Sequence, residues 1–269
     1  MVNYNGNISK NPPTLSINNR AFKYGDGLFE TLKVKGNTII FLEDHYFRLM
    51  ASMRMLRMNI PMDFTLEFFQ QEILKTTSAN NFTDARVRFT VNRKDGGLYL
   101  PSTNNIHFLV EAKALSVTLK KEYEVDLFKD YYVYSGTLST LKTNNKILNV
   151  VGSIFADENG LDNCILLNEK KHVVETLNAN IFLVKGKTIS TPPLSEGCLK
   201  GVFRKKLIEF IAKDEELNLE EREISPFELQ KTDEVFLTNA IVGIQPVTKY
   251  RKKKYTTEVS DYLRRKMDI

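Results

Sequence analysis

The hydrophobic positions in the first half of the chain predict a small mixed α and β unit. Apolar residues between Tyr46 and Leu56 recur at helical spacing, whereas residues 85–92 alternate strictly between apolar and polar, as in a half-buried strand. The predicted elements are a hairpin with strands over 28–34 and 38–42, helices over 43–58 and 64–77, and strands over 85–92 and 106–112.

The second half predicts a larger, strand-rich unit with helices around it. The Ser225-Pro226-Phe227-Glu228 segment has an N-cap serine, a proline at the first position and a glutamate that completes a capping box. The other predicted elements are strands over 131–134, 163–167, 172–175, 179–184, 188–190 and 234–238, and helices over 146–157, 201–213 and 257–267. Because the pattern is weak after residue 112, we predict an N-terminal domain over 1–115, a linker over 116–120 and a C-terminal domain over 121–269.

Composition is that of an ordinary globular protein and narrows the available chemistry. The 269 residues are 42% hydrophobic and 26% charged. Two cysteines and three histidines, all scattered, form neither a disulfide framework nor a metal-binding cluster, so we expect no metal. Catalysis would therefore use an organic cofactor, a lysine, a carboxylate or a hydroxyl.

The net charge of +5 suits an anionic small molecule or, less specifically, nucleic acid. The densest basic run, Lys252 to Lys254 after Arg251, is interpreted as a solvated turn before the last helix, because a nucleic-acid footprint needs a longer stripe with aromatic residues. Residues 1–20 show no signal peptide, and no window reaches the length of a membrane span. We therefore expect a cytoplasmic protein with neither a membrane nor a nucleic-acid partner.

Six segments, in a fixed order, carry the functional information. They are YGDGLFET at 24–31, HYFRL at 45–49, LKTNN at 141–145, VETLNANIF at 174–182, LKGVFR at 199–204 and DEVFLTNA at 233–240. Together they resemble the fold-type IV pyridoxal-phosphate family, which contains branched-chain aminotransferases, D-amino-acid aminotransferases and aminodeoxychorismate lyases. The resemblance spans residues 15–250. It implies a two-domain α+β fold, with a smaller sandwich-like N-terminal domain and a larger, sheet-rich C-terminal domain that carries the cofactor lysine. It also implies a homodimer.

The resemblance assigns the pyridoxal 5'-phosphate cofactor to named residues. Lys142 matches the Schiff-base lysine, which in this family also moves the substrate proton, and Glu175 matches the acid that keeps the pyridine nitrogen protonated. Arg48, the backbone amides of Val202 and Phe203 at a predicted helix start, and the Thr238 hydroxyl match the phosphate site. The matching substrate-binding positions are Tyr24, Phe29, Arg93, Asn239 and Ala240.

The sequence departs from the family pattern at Leu177, where small residues are usual, and at Phe203, where threonine is common. D-amino-acid aminotransferases are disfavoured, because this chain has Phe29 in place of their tyrosine and no histidine after Arg93. Branched-chain aminotransferases are usually longer and have glycine at the position of Thr31.

The pattern is more similar to that of aminodeoxychorismate lyases, which release pyruvate and 4-aminobenzoate. The alternative is an aminotransferase that is branched-chain-like and passes an amino group to a 2-oxo acid. Two hypotheses from other classes are a catalytically inactive binding protein and a basic nucleic-acid-binding protein. The intact Lys142 and Glu175 motifs argue against the first, and the second predicts steeply salt-dependent binding to DNA or RNA and no bound chromophore.

Overall fold

The computed structural model describes residues 1–11 and 14–267. Contacts divide the chain into two compact units, one of Met1–Val117 with Lys142–Asn145 and the other of Thr118–Leu141 with Lys146–Ile269. Each unit combines sheets with helices, and the predicted α+β class is confirmed.

The grouping of Lys142–Asn145 differs from the division expected from the sequence, which gave this segment to the C-terminal domain. The reason is backbone pairing. Phe29 N donates to Lys142 O at 2.9 Å, and Asn144 N donates to Gly27 O at 2.9 Å. The segment is thereby held along a strand of the first unit.

The first unit is built on one antiparallel sheet of six strands, in the order β2-β1-β6-β5-β3-β4. Its elements are β1 (Val2–Tyr4), β2 (Asn7–Ser9), α1 (Arg20–Tyr24), β3 (Gly27–Lys35), β4 (Thr38–Ile39), α2 (Leu42–Met55), α3 (Leu66–Ala79), β5 (Ala85–Arg93) and β6 (Ile106–Ala114).

One face of this sheet forms the core of the unit. Val87, Phe89 and Val91 alternate along β5 and are fully buried, as the sequence pattern predicted. The Phe89 ring stacks on Phe108 of β6, with centroids 5.5 Å apart, and lies 4.7 Å from Phe69 of α3. The opposite face of β5 is left to polar side chains, and Arg88 is one of them.

The second unit contains two five-stranded sheets, in the orders β12-β11-β10-β13-β14 and β16-β15-β7-β8-β9. Its strands are β7 (Glu124–Val133), β8 (Asn163–Asn168), β9 (Val173–Thr176), β10 (Asn180–Lys185), β11 (Thr188–Thr191), β12 (Asn218–Glu221), β13 (Glu234–Asn239), β14 (Gly243–Val247), β15 (Lys249–Tyr250) and β16 (Lys253–Lys254). Its helices are α4 (Ile147–Glu158), α5 (Val202–Ile211) and α6 (Glu258–Met267), with short 3₁₀ turns at Thr137–Thr140, Leu194–Glu196 and Pro226–Gln230.

The core of the second unit lies between its two sheets. Val125 and Ile165 from one sheet pack in the same cluster as Ile181, Val235 and Leu237 from the other. These strands read as nearly continuous apolar runs in the sequence because both of their faces are covered.

Most of the predicted elements lie within three residues of their observed bounds. The strand predicted at 131–134 is in fact β7, which begins at Glu124. The sequence did not predict α1 or the strands β1, β2, β12, β14, β15 and β16, the last of which contains part of the basic run that was interpreted as a turn. No helix within residues 1–11 and 14–267 is both long and apolar enough to cross a membrane.

Candidate active site

Lys142 lies in an extended segment beside β3. Thr143 forms a bridge with Leu28, and Gly27 permits the close approach because a Cβ atom there would lie 2.4 Å from Asn144 Nδ2. The Lys142 ammonium lies 4.6 Å from the centroid of the Phe29 ring. The LKTNN motif therefore places the predicted cofactor lysine against the predicted substrate-binding Phe29.

Arg88 shares this aromatic ring, and sequence reasoning missed it. Its guanidinium carbon lies 3.7 Å from the Phe29 centroid, Nη2 donates to Asn144 Oδ1 at 3.1 Å, and Nε donates to Thr90 Oγ1 at 3.1 Å. Burial lowers the pKa of Arg88, but an arginine remains charged in proteins. A half-buried cation thus stands beside the lysine segment, a place suited to a carboxylate.

Glu30 forms a buried ionic cluster with Arg48 and His45. Its carboxylate accepts from Arg48 Nε at 2.8 Å, from Arg48 Nη2 and from His45 Nδ1 at 2.7 Å. Although burial raises the pKa of Glu30, the Arg48 charge and the hydrogen bond from His45 outweigh it and hold the pKa at about 2.

Burial lowers the pKa of His45, so its neutral ring donates through Nδ1 and keeps a lone pair on Nε2. That Nε2 atom is buried and has no hydrogen-bond partner in the described part of the chain. Arg48, predicted to bind the cofactor phosphate, is held by Glu30 through two of its nitrogen atoms. Its orientation is therefore fixed by the protein.

Arg93, predicted to bind a substrate carboxylate, is anchored by the protein itself. Its Nε donates to Asp26 Oδ2 at 2.9 Å, and its other two nitrogens donate to Leu56 O, Arg57 O and Asn104 Oδ1. The residue is 7% exposed. These contacts hold the Arg93 side chain in place within the first unit, and its role in binding substrate stays a prediction.

Tyr24, another predicted substrate-binding residue, ends helix α1. Its ring lies 5.7 Å from that of Tyr99 and 5.0 Å from the Arg20 guanidinium carbon. Arg20 is buried, and its Nε donates to Asp26 Oδ2 at 2.8 Å. The guanidinium that lies over the Tyr24 ring is therefore itself held in place.

In the second unit, Glu175 lies on β9 and accepts a hydrogen bond from Leu199 N at 2.8 Å. Burial lowers the pKa of Lys146, and the negative charge of Glu175 opposes that shift. Lys146 is the N-cap residue of α4 and stands four positions after Lys142. No role was predicted for it from the sequence.

The N-terminus of α5 carries the predicted amides of Val202 and Phe203. Its N-cap residue is Gly201, so no side chain caps this end. A Cβ atom at Gly201 would lie 2.0 Å from Asn180 Oδ1, and Asn180 Nδ2 donates to Leu199 O at 2.9 Å. Asn180 pairs with Thr238 across β10 and β13. The two predicted parts of the phosphate site are thus brought to either side of Asn180.

Thr238 carries a hydroxyl group that a bound anion could accept a hydrogen bond from. Its hydroxyl oxygen is buried, and none of the residues at 1–11 and 14–267 gives it a hydrogen-bond partner. An uncapped helix start favours an anion through its dipole and its backbone amides. These observations fit the phosphate group of pyridoxal phosphate.

Asn239 ends β13, and Ala240 begins the turn that leads to β14. Asn239 Oδ1 accepts from Ile241 N at 3.0 Å and from Val242 N at 2.9 Å. The Asn239 side chain is therefore used to shape the turn, and its predicted substrate contact would come from the backbone amide.

These elements and motifs are those of a pyridoxal-phosphate enzyme. Residues 27–250 match the family model for amino-transferase class IV, and the chain belongs to this family. The resemblance found in the sequence is thereby confirmed, as are the enzymatic nature of the protein and its dependence on pyridoxal phosphate.

The relatives that match this chain are named for different activities. A "putative branched-chain-amino-acid aminotransferase" of Methanocaldococcus jannaschii is 29% identical over 254 residues, covering 89% of this chain and 84% of the relative. An aminodeoxychorismate lyase of Vibrio harveyi is 27% identical over 242 residues, covering 86% of each chain.

The similar solved structures also include both lyases and aminotransferases. A 4-amino-4-deoxychorismate lyase from Pseudomonas aeruginosa superposes with a TM-score of 0.86 at 27% identity and covers 100% of both chains. A branched-chain aminotransferase from Thermoproteus uzoniensis superposes with a TM-score of 0.91 at 23% identity, covering 99% of this chain and 93% of the other. The second likeness shows the fold alone.

Proposed function

We propose that this enzyme is an aminodeoxychorismate lyase that releases pyruvate and 4-aminobenzoate. The observation that carries the proposal is the group formed by Lys142, Phe29 and Arg88, in which a lysine amine and a half-buried guanidinium lie on one aromatic ring. Such a group suits a substrate that has both an amine and carboxylates. The likeness to the Pseudomonas aeruginosa lyase, with a TM-score of 0.86 at 27% identity, also supports the lyase.

In this proposal, Lys142 binds the cofactor covalently and, once released, moves the proton at the carbon that bears the substrate amine. Bound pyridoxal phosphate supplies an electron sink for that carbon. Glu175 holds a proton at the ring nitrogen, and the Leu199 amide fixes one of its oxygens. For the phosphate, the family resemblance assigns the α5 amides of Val202 and Phe203 and the Thr238 hydroxyl in the second unit, and Arg48 in the first unit. Arg88 orients a substrate carboxylate, with Tyr24 and the amides of Asn239 and Ala240 as further contacts.

A branched-chain-like aminotransferase is the second candidate. The identity of 29% to the Methanocaldococcus relative, over most of both chains, favours it. The two reactions share the proton transfer by Lys142 and differ in the steps after it.

The test is an absorption spectrum of the purified protein, recorded before and after adding L- and D-amino acids, with a parallel assay of pyruvate release from aminodeoxychorismate. A yellow chromophore that survives the amino acids, together with pyruvate release, supports the lyase. Bleaching by an amino acid without pyruvate release identifies an aminotransferase and overturns the proposed reaction.

Lys142→Ala tests the covalent attachment itself. Borohydride reduction of the wild type should fix the cofactor on the Lys142 peptide, as seen by mass spectrometry, and the variant should show no fixed cofactor. Lys146→Ala is the matched control, since Lys146 is the next lysine along the chain. Loss of attachment in the control alone would contradict the assignment.

We also propose that the enzyme is a homodimer, as the family resemblance implies. The first unit supports this with three consecutive large apolar side chains in solvent, Leu98, Tyr99 and Leu100.

A further inference from the structure

A second buried carboxylate, Glu196, lies outside the predicted site. It ends the 3₁₀ turn Leu194–Glu196 and is 2% exposed. Its Oε2 accepts from Asn168 Nδ2 at 2.6 Å and from His172 Nδ1 at 2.8 Å, and its Oε1 accepts from Lys170 Nζ at 3.4 Å. All three donors come from the turn between β8 and β9.

The turn that supplies the donors is itself held by Asn168. Asn168 Oδ1 accepts from Lys170 N at 3.1 Å and from His172 N at 2.9 Å, and Nδ2 also reaches Glu196 O at 3.2 Å. Asn168 is fully buried. One amide side chain therefore shapes the turn and binds both the backbone and the side chain of Glu196.

The segment after Glu196 leads directly to the predicted cofactor contacts. Three residues on, Leu199 N donates to Glu175 Oε2 at 2.8 Å, and Leu199 O accepts from Asn180 Nδ2 at 2.9 Å. Five residues on, Gly201 is the N-cap of α5. Glu175 is three residues after His172 on the same hairpin, so β8 and β9 hold this segment at two points.

We propose that Glu196 is a positioning residue that fixes the segment 196–201, and with it the first turn of α5, for the phosphate group of the cofactor. The proposal rests on the function proposed above, because it takes the Val202 and Phe203 amides as phosphate contacts. In this role Glu196 touches neither cofactor nor substrate and acts through the backbone that it anchors.

A metal ion is a poorer explanation of the same residues. His172, Glu196 and Glu223 offer ligand atoms within 4.8 Å of one another. However, the Lys170 ammonium and the Asn168 amide already donate to the two Glu196 oxygens. Although burial raises the pKa of Glu196, the hydrogen bonds from His172 and Asn168 and the charge of Lys170 lower it. The carboxylate is thus charged and satisfied by protein donors.

The experiment compares the binding of pyridoxal phosphate and of pyridoxal, which lacks the phosphate, to the cofactor-free protein. Glu196→Ala should weaken pyridoxal phosphate binding by about tenfold, which corresponds to about 1.4 kcal/mol, and leave pyridoxal binding nearly unchanged. Both dissociation constants come from absorbance titrations, and thermal unfolding of the cofactor-free variant shows whether it is folded. Glu223→Ala is the matched control, because the Glu223 carboxylate lies 3.8 Å from the same His172 nitrogen but its side chain is 62% exposed.

An equal loss of affinity for both compounds would mean that Glu196 supports the unit in general, and wild-type affinity for both would remove any role; either result overturns the proposal. Glu196→Gln, which keeps the side-chain volume, replaces the alanine variant if that variant is unfolded, and the same selective loss is expected at smaller size. A wild-type protein that binds both compounds equally well would instead contradict the proposed phosphate site, and the positioning role would fall with it. Binding of neither compound would contradict the proposed function.

Discussion

Glu30 shows how the first unit keeps a charge where water is excluded. Its side chain is 2% exposed, and both oxygens are bound by Arg48 and His45. Such a carboxylate is expensive to bury alone but is stabilised when charged donors satisfy it. The same contacts orient Arg48, which we propose as a phosphate ligand.

Glu30 should make the protein sensitive to acid. Its pKa is lowered from 4.5 to about 2 in the folded protein, so the stability that it contributes is present above its ordinary pKa and is lost as the pH falls towards 2. At about 1.36 kcal/mol per pKa unit, that contribution is about 3 kcal/mol. Burial also lowers the pKa of His45. Its neutral form therefore contributes folding stability that is lost as well when the pH falls below the ordinary value of 6.5.

Urea unfolding at a series of pH values checks this. Glu30→Gln should be less stable than the wild type at neutral pH, because Arg48 loses its partner, and should show a flatter decline in acid. The exposed Glu43→Gln is the control and should match the wild-type curve. A decline in Glu30→Gln as steep as that of the wild type would place the acid-sensitive group elsewhere.

Some of these residues were within reach of sequence reasoning, and others were not. Lys142 and Glu175 stand in motifs whose order carries the family resemblance. Arg88 was missed because alternation along β5 marks it only as facing away from the core, and the Phe29 ring that covers it belongs to another strand. Arg93 is also an arginine on β5, but its nitrogens are bound by Asp26 and Leu56, which are distant in the sequence. No local sequence pattern could predict these contacts.

Among the elements, helix α6 begins on a buried carboxylate. Glu234 of β13 accepts from Val259 N at 2.8 Å, Ser260 N at 3.0 Å and Ser260 Oγ at 3.0 Å. Amides at a helix start need acceptors, and a negative charge there also favours the helix dipole. Glu234 therefore joins the sheet to the last helix.

Glu234→Ala should destabilise the second unit by about 2 kcal/mol, since it leaves buried donors unpaired. Denaturant unfolding measures the loss, and circular dichroism should show a smaller helical signal. Glu258→Ala, an exposed change in the same first turn, should cost only a few tenths of a kcal/mol. Equal effects of the two changes would count against the capping role.

Elements with a clear period were predicted well, and those without one were not. The strand β5 alternates and was placed within one residue of its end. The strand β7 has buried residues at Val125, Leu127 and Phe128 but a polar second half, so no single period runs through it. Its pairing with β8 and β15, which comes from distant parts of the chain, determines where it begins.

At the scale of the molecule, the run Leu98, Tyr99 and Leu100 is 77%, 90% and 84% exposed. Three such side chains in succession are unusual on a surface that faces only water. Light scattering after size exclusion should give twice the mass of the chain. Leu98→Asp should shift the species towards the monomer at low concentration, whereas Met62→Asp, at a position that is 100% exposed, should not. A wild-type monomer would contradict the proposed dimer.

The pairing of Lys142–Asn145 with strand β3 has a consequence for attempts to divide the gene. A cut after residue 117 would give two contiguous fragments, but the fragment holding the first unit would lack the four residues that pair along its strand. Those residues would travel with the other fragment, flanked on both sides by chain that belongs elsewhere. Because Lys142 would lie on one fragment and strand β3 on the other, neither fragment alone is expected to hold the group of Lys142, Phe29 and Arg88.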